Sequence, residues 1–321
     1  MFKVGAAIGL LAIALSGAAA EAQNWPDKPV KLIVMGAAGG SPDVAARVIS
    51  DRLGKIGNLR FVVENKVGAG GITGWTDLKR SAPDGYTFGL IAASAYSLTP
   101  HLFKDLSFDV DRDFVPTAFV GTTPIVVAVK KESAFRSLED LLSLSRQSGG
   151  KTAVATPPVN SLAHLLAELA NARTEAKLNL VPFSTAPAGI AAILGGDVVG
   201  MVDGYPSFEG MLRSGDVRLL ASFSTERMAN NKTLPTVNET IKGLEATGWF
   251  AIFAPKGTSP EILEKVRAAV NEALDAPEVS SRMLGLSIFP EKMTGEELTA
   301  FLKKEQAFWS NAVKAAGVVP Q

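Results

Sequence analysis

The chain has 321 residues, with Lys+Arg and Asp+Glu equal at 32 each and no cysteine. Balanced charge without a basic patch argues against a nucleic-acid partner, and the lack of cysteine removes disulfides, thiolate catalysis and thiolate-held metals. A hydrophobic content of 47% is enough for substantial cores.

Residues 1–22 read as an export signal: a short basic start at Lys3, the apolar run "VGAAIGLLAIAL", then Ala20-Glu21-Ala22 as an A-x-A cleavage pattern before Gln23. The run falls short of the ~20 residues that a membrane span needs. The expectation is a periplasmic mature protein, cleaved after Ala22 and not inserted in the membrane. The mature chain begins with a buried strand, "KPVKLIVMGA" (28–37). A Gly39-Gly40 turn follows and opens into a helix with Ser41 as cap, Pro42 in the first turn and then Asp43. "RFVVEN" (60–65) is the second strand, and the glycine-rich "VGAGGITG" (67–74) leads into the second helix. "YTFGLIAAS" (86–94) is the third strand. This β-α-β-α-β order predicts parallel pairing.

Further on, "IVVAVKKES" (125–133) is a strand. The helix after it has Ser137 as cap, an acidic first turn and a glycine stop. "KTAVATPPVNSLAHLLAELANAR" reads as strand, loop and helix, "LNLVPFST" as strand, "PAGIAAILGGD" as helix and "VVGMVDG" as strand. Strands at 217–225 and 248–257 and two C-terminal helices complete the chain. The extended apolar stretches 113–124 and 244–255 suit crossovers between lobes better than a floppy linker would. The expected fold is α/β with two lobes, each a mostly parallel sheet flanked by helices. The expected layout is 24–124 plus 249–321 as one discontinuous lobe and 125–248 as the other, with the ligand site between them.

Catalytic signatures are missing. His101 and His164, the only histidines, have no metal-ligand spacing. There is no G-x-S-x-G elbow and no Walker loop. Gly68, Gly70 and Gly74 resemble a dinucleotide-binding turn, but their spacing departs from G-x-G-x-x-G and they follow the second strand rather than the first. No catalysis, cofactor or metal is expected. The turns at Gly39-Gly40 and Gly68–Gly71 leave two readings open. They are tight loops, or their free N–H groups at strand ends and helix starts form an anion site.

The segments "WPDKPVKLIV", "GGSPDVAAR", "VVENKVGAGG", "APDGYTFGL", "SFDVDRDFVPTAFV", "LAHLLAEL", "LPTVNE" and "FAPKGTSPEILEKV" occur together and in order. In this the chain resembles the Bug-type periplasmic receptors of tripartite tricarboxylate transporters. The resemblance implies a Venus-flytrap fold, no enzyme activity, a small carboxylate ligand and the membrane subunits of an uptake system as partners, with the receptor itself a monomer. It suggests as ligand-binding positions Ala38, Gly39, Gly40, Asp43, Ala69, Gly70, Gly71 and Ser94 on the first lobe. On the second it suggests Asn160, Ser161, Ala163, His164, Phe183, Ser184, Thr185 and Asp203. Asp43 also reads as a structural cap, His164 equally as a helix residue packed on the sheet, and Glu64 and Asn65 as loop-fixing residues. The chain departs from the family at Met35-Gly36-Ala37-Ala38, at "TPPVNS", and at Thr185-Ala186-Pro187, where a Lys-Gly pair is usual. The lost lysine favours a carboxylate with a neutral or aromatic remainder over a short dicarboxylate. Rival readings are a ligand sensor for a two-component system and, further off, an exported enzyme.

Overall fold

The computed structural model describes residues 25–36, 38–57, 59–159, 161–315 and 320. The expected signal segment and its cleavage site lie outside the described residues, as do Ala37 and Asn160.

The first part of the chain alternates strand and helix: β1 (Val30–Val34), α1 (Ser41–Ile56), β2 (Phe61–Asn65), α2 (Ile72–Arg80) and β3 (Thr87–Ala92). Two short helices follow, α3 (Ala93–Ser97) and α4 (Thr99–Leu102), and then the long strand β4 (Phe114–Thr123). The next stretch holds β5 (Ile125–Lys130), α5 (Leu138–Ser148), β6 (Ala153–Thr156), α6 (Leu162–Thr174), β7 (Asn179–Pro182) and α7 (Ala186–Gly195). It continues through β8 (Gly200–Gly204), α8 (Glu209–Ser214), β9 (Val217–Ser222) and α9 (Val237–Thr240). The chain ends with β10 (Gly248–Pro255), α10 (Pro260–Asp275), α11 (Pro277–Leu284), β11 (Phe289–Pro290) and α12 (Gly295–Ala315).

The strands form two sheets, of order β11-β4-β10-β3-β1-β2 and β7-β6-β8-β5-β9. Both are mixed. β1 runs parallel to β2 and β3, and β6 runs parallel to β7 and β8. The strands nearest the crossovers, β4 with β10 and β5 with β8 and β9, pair antiparallel.

Strand alternation divides each core into two layers. Leu32 and Val34 of β1, with Phe250 and Ile252 of β10, pack on one side with α1 and α10. Ile33, Ala251 and Phe253 face the other side, with Trp75 of α2 and Leu298 and Leu302 of α12. In the second sheet Val127 and Val129 join Leu165 and Leu166 of α6, whereas Val126 and Ala128 join Ile193 of α7. Burial on both faces explains why these strands read as unbroken apolar runs. The end of α12 leaves the first core: Trp309, Ala312 and Val313 pack into the second, and so does Leu98 from the α3–α4 segment.

The pairing shows which strand ends face the other sheet. β5 starts directly after β4, and Ile125 pairs with Gly204 at the end of β8. The C-terminal ends of β6, β7 and β8 therefore lie at the edge where the sheets are joined. On the first sheet Gly248, where the chain returns, pairs with Thr123, and Phe250 pairs with Ala92 at the end of β3. The C-terminal ends of β1, β2 and β3 lie at that edge too.

Several local expectations differ from the structure, among them the two C-terminal helices, which are three, α10, α11 and α12. The strand at 86–94 stops at Ala92, and Ala93 begins α3. The cap of α1 is Gly40, not Ser41, and no side chain caps it; Ser41 is already helical. The Asp43 carboxylate instead accepts from the Gly39 N–H, just before the cap.

Candidate functional site

Gly39 sits in the turn after β1 at φ +81, where glycine has no Cβ penalty. Its N–H donates to Oδ2 of Asp43 at 2.9 Å. Asp43 is 2% exposed and also accepts from Arg47 Nε at 3.0 Å and Asn65 Nδ2 at 3.0 Å. Arg47 chiefly holds this carboxyl below its ordinary value, helped by Gly39 and Asn65 and opposed by burial. Asp43 thus points inward and closes the turn. Asn65 Nδ2 also donates to Gly36 O, tying the end of β2 to the same turn. The Gly39 N–H is used within the protein, while among the described residues no acceptor meets the Gly40 amide. Ala38 and Gly39 are exposed and Gly40 is half-buried.

The second turn is a single 3₁₀ turn over Ala69–Gly71, with Gly70 at φ +63 and Gly71 at φ +97. The Gly71 N–H donates to Gly68 O at 2.9 Å. Gly70 is exposed, and its carbonyl accepts from Thr99 Oγ1 at 2.6 Å. A Cβ at Gly70 would lie 3.3 Å from both Thr99 Oγ1 and Phe103 Cε2, and one at Gly71 only 2.8 Å from Ala95 Cβ. Left-handed backbone and close neighbours both call for glycine here. Lys66, the nearest cation in the sequence, has its Nζ 2.7 Å from Glu64 and 3.3 Å from Asp77. Ser94 is exposed in the first turn of α3.

On the second sheet Ser161 caps α6, its Oγ accepting from His164 N at 3.3 Å. His164 is buried; its Nδ1 lies 2.9 Å from Thr156 Oγ1 and its Nε2 3.7 Å from Glu168. Burial holds its imidazole below the ordinary value, so it is neutral at pH 7. Ala163 is buried in the core of the second sheet. The Phe183 N–H donates to Thr156 O at 2.9 Å, and its ring packs, half-buried, beside Val181. Ser184 and Thr185 are exposed before α7, and Thr185 does not cap that helix. Asp203 accepts from Gly204 N at 2.7 Å and from Ser207 Oγ at 3.0 Å, with burial pushing its carboxyl up.

The joined edge thus brings together the Ala38–Gly40 and Ala69–Gly71 turns and Ser94 from one sheet. From the other it brings Ser161, the 183–185 segment and Asp203. Ala163, His164 and Asp43 turn into the protein. Asn160 lies outside the described residues. Thr99 and Phe103, which flank Gly70, have no local signature in "SLTPHLF". Their proximity comes from the α3–α4 fold-back alone.

Two sheet-and-helix halves, joined at an edge lined by strand ends and glycine turns, define a two-lobed solute-binding protein. Residues 45–318 match the tripartite tricarboxylate transporter family receptor (TctC), and the chain belongs to that family. It is 33% identical over 321 residues to BugT of Bordetella pertussis, covering 99% of this chain and 98% of BugT. An R. palustris protein solved with adipate superposes with a TM-score of 0.78 at 26% identity, covering 92% of this chain and 100% of that one. MatC from Rhodopseudomonas palustris, solved with bound malate, gives 0.72 at 27% identity, covering 90% and 100%. The family and fold are those of solute-binding receptors rather than enzymes.

Proposed function

We propose that this receptor captures a small carboxylate between its lobes and delivers it to the membrane subunits of a tripartite tricarboxylate-type uptake system. The observation that carries the reading is the pair of glycine turns at the ends of parallel β1 and β2, with Gly40 and Gly70 accessible and the basic side chains of Arg47 and Lys66 already paired with Asp43 and Glu64. Backbone N–H groups and the start of α1 supply the positive field for the acid. The adipate and malate held by two relatives support a carboxylate as ligand class. Asp203, half-buried at the opposite wall, disfavours a second ionised carboxylate there and suits a hydroxyl or amine. The favoured ligand is an acid with a neutral or aromatic remainder. The lobes are 24–124 plus 249–321 and 125–248, and the mature protein is periplasmic after cleavage at Ala22. Calorimetric titration with adipate, malate, benzoate and a hydroxylated aromatic acid, each beside its neutral amide, tests the reading. Saturable binding of an acid but not of its amide is expected. Equal binding of acid and amide would remove the anion site, and tight binding of malate alone would overturn the ligand preference.

A further inference from the structure

A cavity of about 440 Å³ opens beside the crossover segments, lined in part by Thr122, Pro124 and Thr247. The order β11-β4-β10-β3-β1-β2 places β4 and β10 between it and the glycine turns. The cavity is therefore on the far side of the joining strands from the carboxylate cleft. Its walls come from both halves: Glu226 and Met228 follow β9, whereas Glu291, Met293 and Phe301 surround β11 and α12. The apolar floor rests on the first core. Phe301 stacks edge-on against Phe119 at 5.4 Å and Trp249 at 5.7 Å between ring centroids, and both partners are buried in the first core.

The rim carries two acidic residues, Glu226 and Glu291. Among the described residues neither the Glu226 nor the Glu291 carboxylate makes an ion pair or hydrogen bond. Partial burial and then the Glu226 charge hold the Glu291 carboxyl above its ordinary value, although Glu291 keeps much of its surface exposed. Arg227 lies on the same wall but is committed to Glu239, at 2.8 and 2.6 Å. Lys292 pairs with Asp275. Ser224 Oγ, also on the lining, is shielded from solvent without a hydrogen-bond partner. Two lining carboxylates close enough to feel each other's charge, beside an aromatic and methionine floor, complement one chemistry: a cationic head on an apolar tail.

We propose that this cavity is a second binding site, for an amphiphilic organic ammonium ion, separate from the carboxylate cleft. The head lies between Glu226 and Glu291, and the tail rests on Met293 and Phe301. The test is calorimetry with n-hexylammonium chloride, and with hexan-1-ol as the uncharged analogue, on the full chain. Saturable binding of hexylammonium is expected, with hexanol much weaker. The Glu226→Gln/Glu291→Gln double variant should bind hexylammonium more weakly, by about fivefold for each charge removed. Both glutamates are exposed, so the substitutions leave the cores intact, which circular dichroism checks. Gly70→Val should retain hexylammonium binding even where it loses the acid, so failure of either site is read separately. No saturable binding, unchanged affinity in the double variant, or loss of amine binding in Gly70→Val would each overturn the assignment.

Discussion

Gly70 shows how one residue serves both backbone and site. At φ +63 and ψ 23 it occupies the left-handed region, which costs an L-residue about 1–2 kcal/mol. Gly70→Val should therefore lower unfolding stability by about that amount while also abolishing acid binding, because its methyls would crowd Thr99 and Phe103 and cover the turn. Urea unfolding and calorimetry on the same sample check both halves. Wild-type affinity in that variant would sink the backbone-held anion. Lys66→Ala should leave affinity unchanged, since Lys66 is committed to Glu64 and Asp77. His164 makes a second prediction. Burial depresses its folded-state pKa below the ordinary 6.5, so its contribution is complete above pH 6.5 and is lost as pH falls below it, where the unfolded chain takes up the proton first. Thermal unfolding of His164→Gln should decline less between pH 7 and 5 than wild type does. Parallel profiles would mean that the imidazole titrates normally. At this scale the glycine turns were legible, because glycine runs at strand ends advertise unusual backbone. Which amides stay free was not legible. The Gly39 N–H goes to a carboxylate four residues on, and the Gly71 N–H to its own turn.

Elements were legible where the local chemistry is complete. Ser137 and Asp140 form a reciprocal capping box at the start of α5, and Gly149 ends it in the left-handed conformation, as a serine, an acidic first turn and a glycine stop predict. Removing the hydroxyl in Ser137→Ala should cost about 1 kcal/mol, readable as a lower urea midpoint with an unchanged slope. No shift would mean that the box does not stabilise the second half. Elements without local signals escaped. α3 grows out of an apolar stretch that reads as a continuing strand, and Tyr96 on it is held by packing against Phe253 and Trp249, distant in sequence. β11 is only Phe289–Pro290, and its pairing depends on a partner far away. Gly121 permits that approach: at φ +153, a Cβ there would collide with the Phe289 carbonyl oxygen. The Gly121→Ala substitution should loosen β11 from β4, which faster amide exchange at Phe289 would report.

The whole molecule depends on how its two sheets are held together, and α12 packs into the cores of both. Leu298 and Leu302 pack with the first core and Trp309, Ala312 and Val313 with the second. Between them lies Glu305, 9% exposed, whose Oε2 accepts from Trp249 Nε1 at 2.8 Å and Ser97 Oγ at 3.4 Å. Trp249 stands near the start of β10, where the chain returns to the first sheet. The stretches 113–124 and 244–255 were visible in the sequence as extended and apolar. The part played by α12 was not, because an amphipathic helix does not disclose that its apolar stripe faces two different cores. Burial, opposed by the indole and hydroxyl donors, raises the Glu305 carboxyl above its ordinary 4.5. The folded state therefore favours the protonated acid. Its contribution is present below the unfolded value and is lost as pH rises from about 4.5 through the folded value. Glu305→Gln keeps an acceptor for Trp249 and removes the titration. Its stability should exceed that of wild type by a margin that grows as pH rises from 4.5 and then levels off. Glu305→Ala leaves the Trp249 N–H unpaired and should be less stable than Glu305→Gln by about 1–3 kcal/mol at every pH. Denaturant unfolding followed by tryptophan emission, at pH 4.5, 6 and 8, separates the two variants. A constant difference between Glu305→Gln and wild type across that range would show that Glu305 is ionised in the folded protein and that the join carries a buried charge.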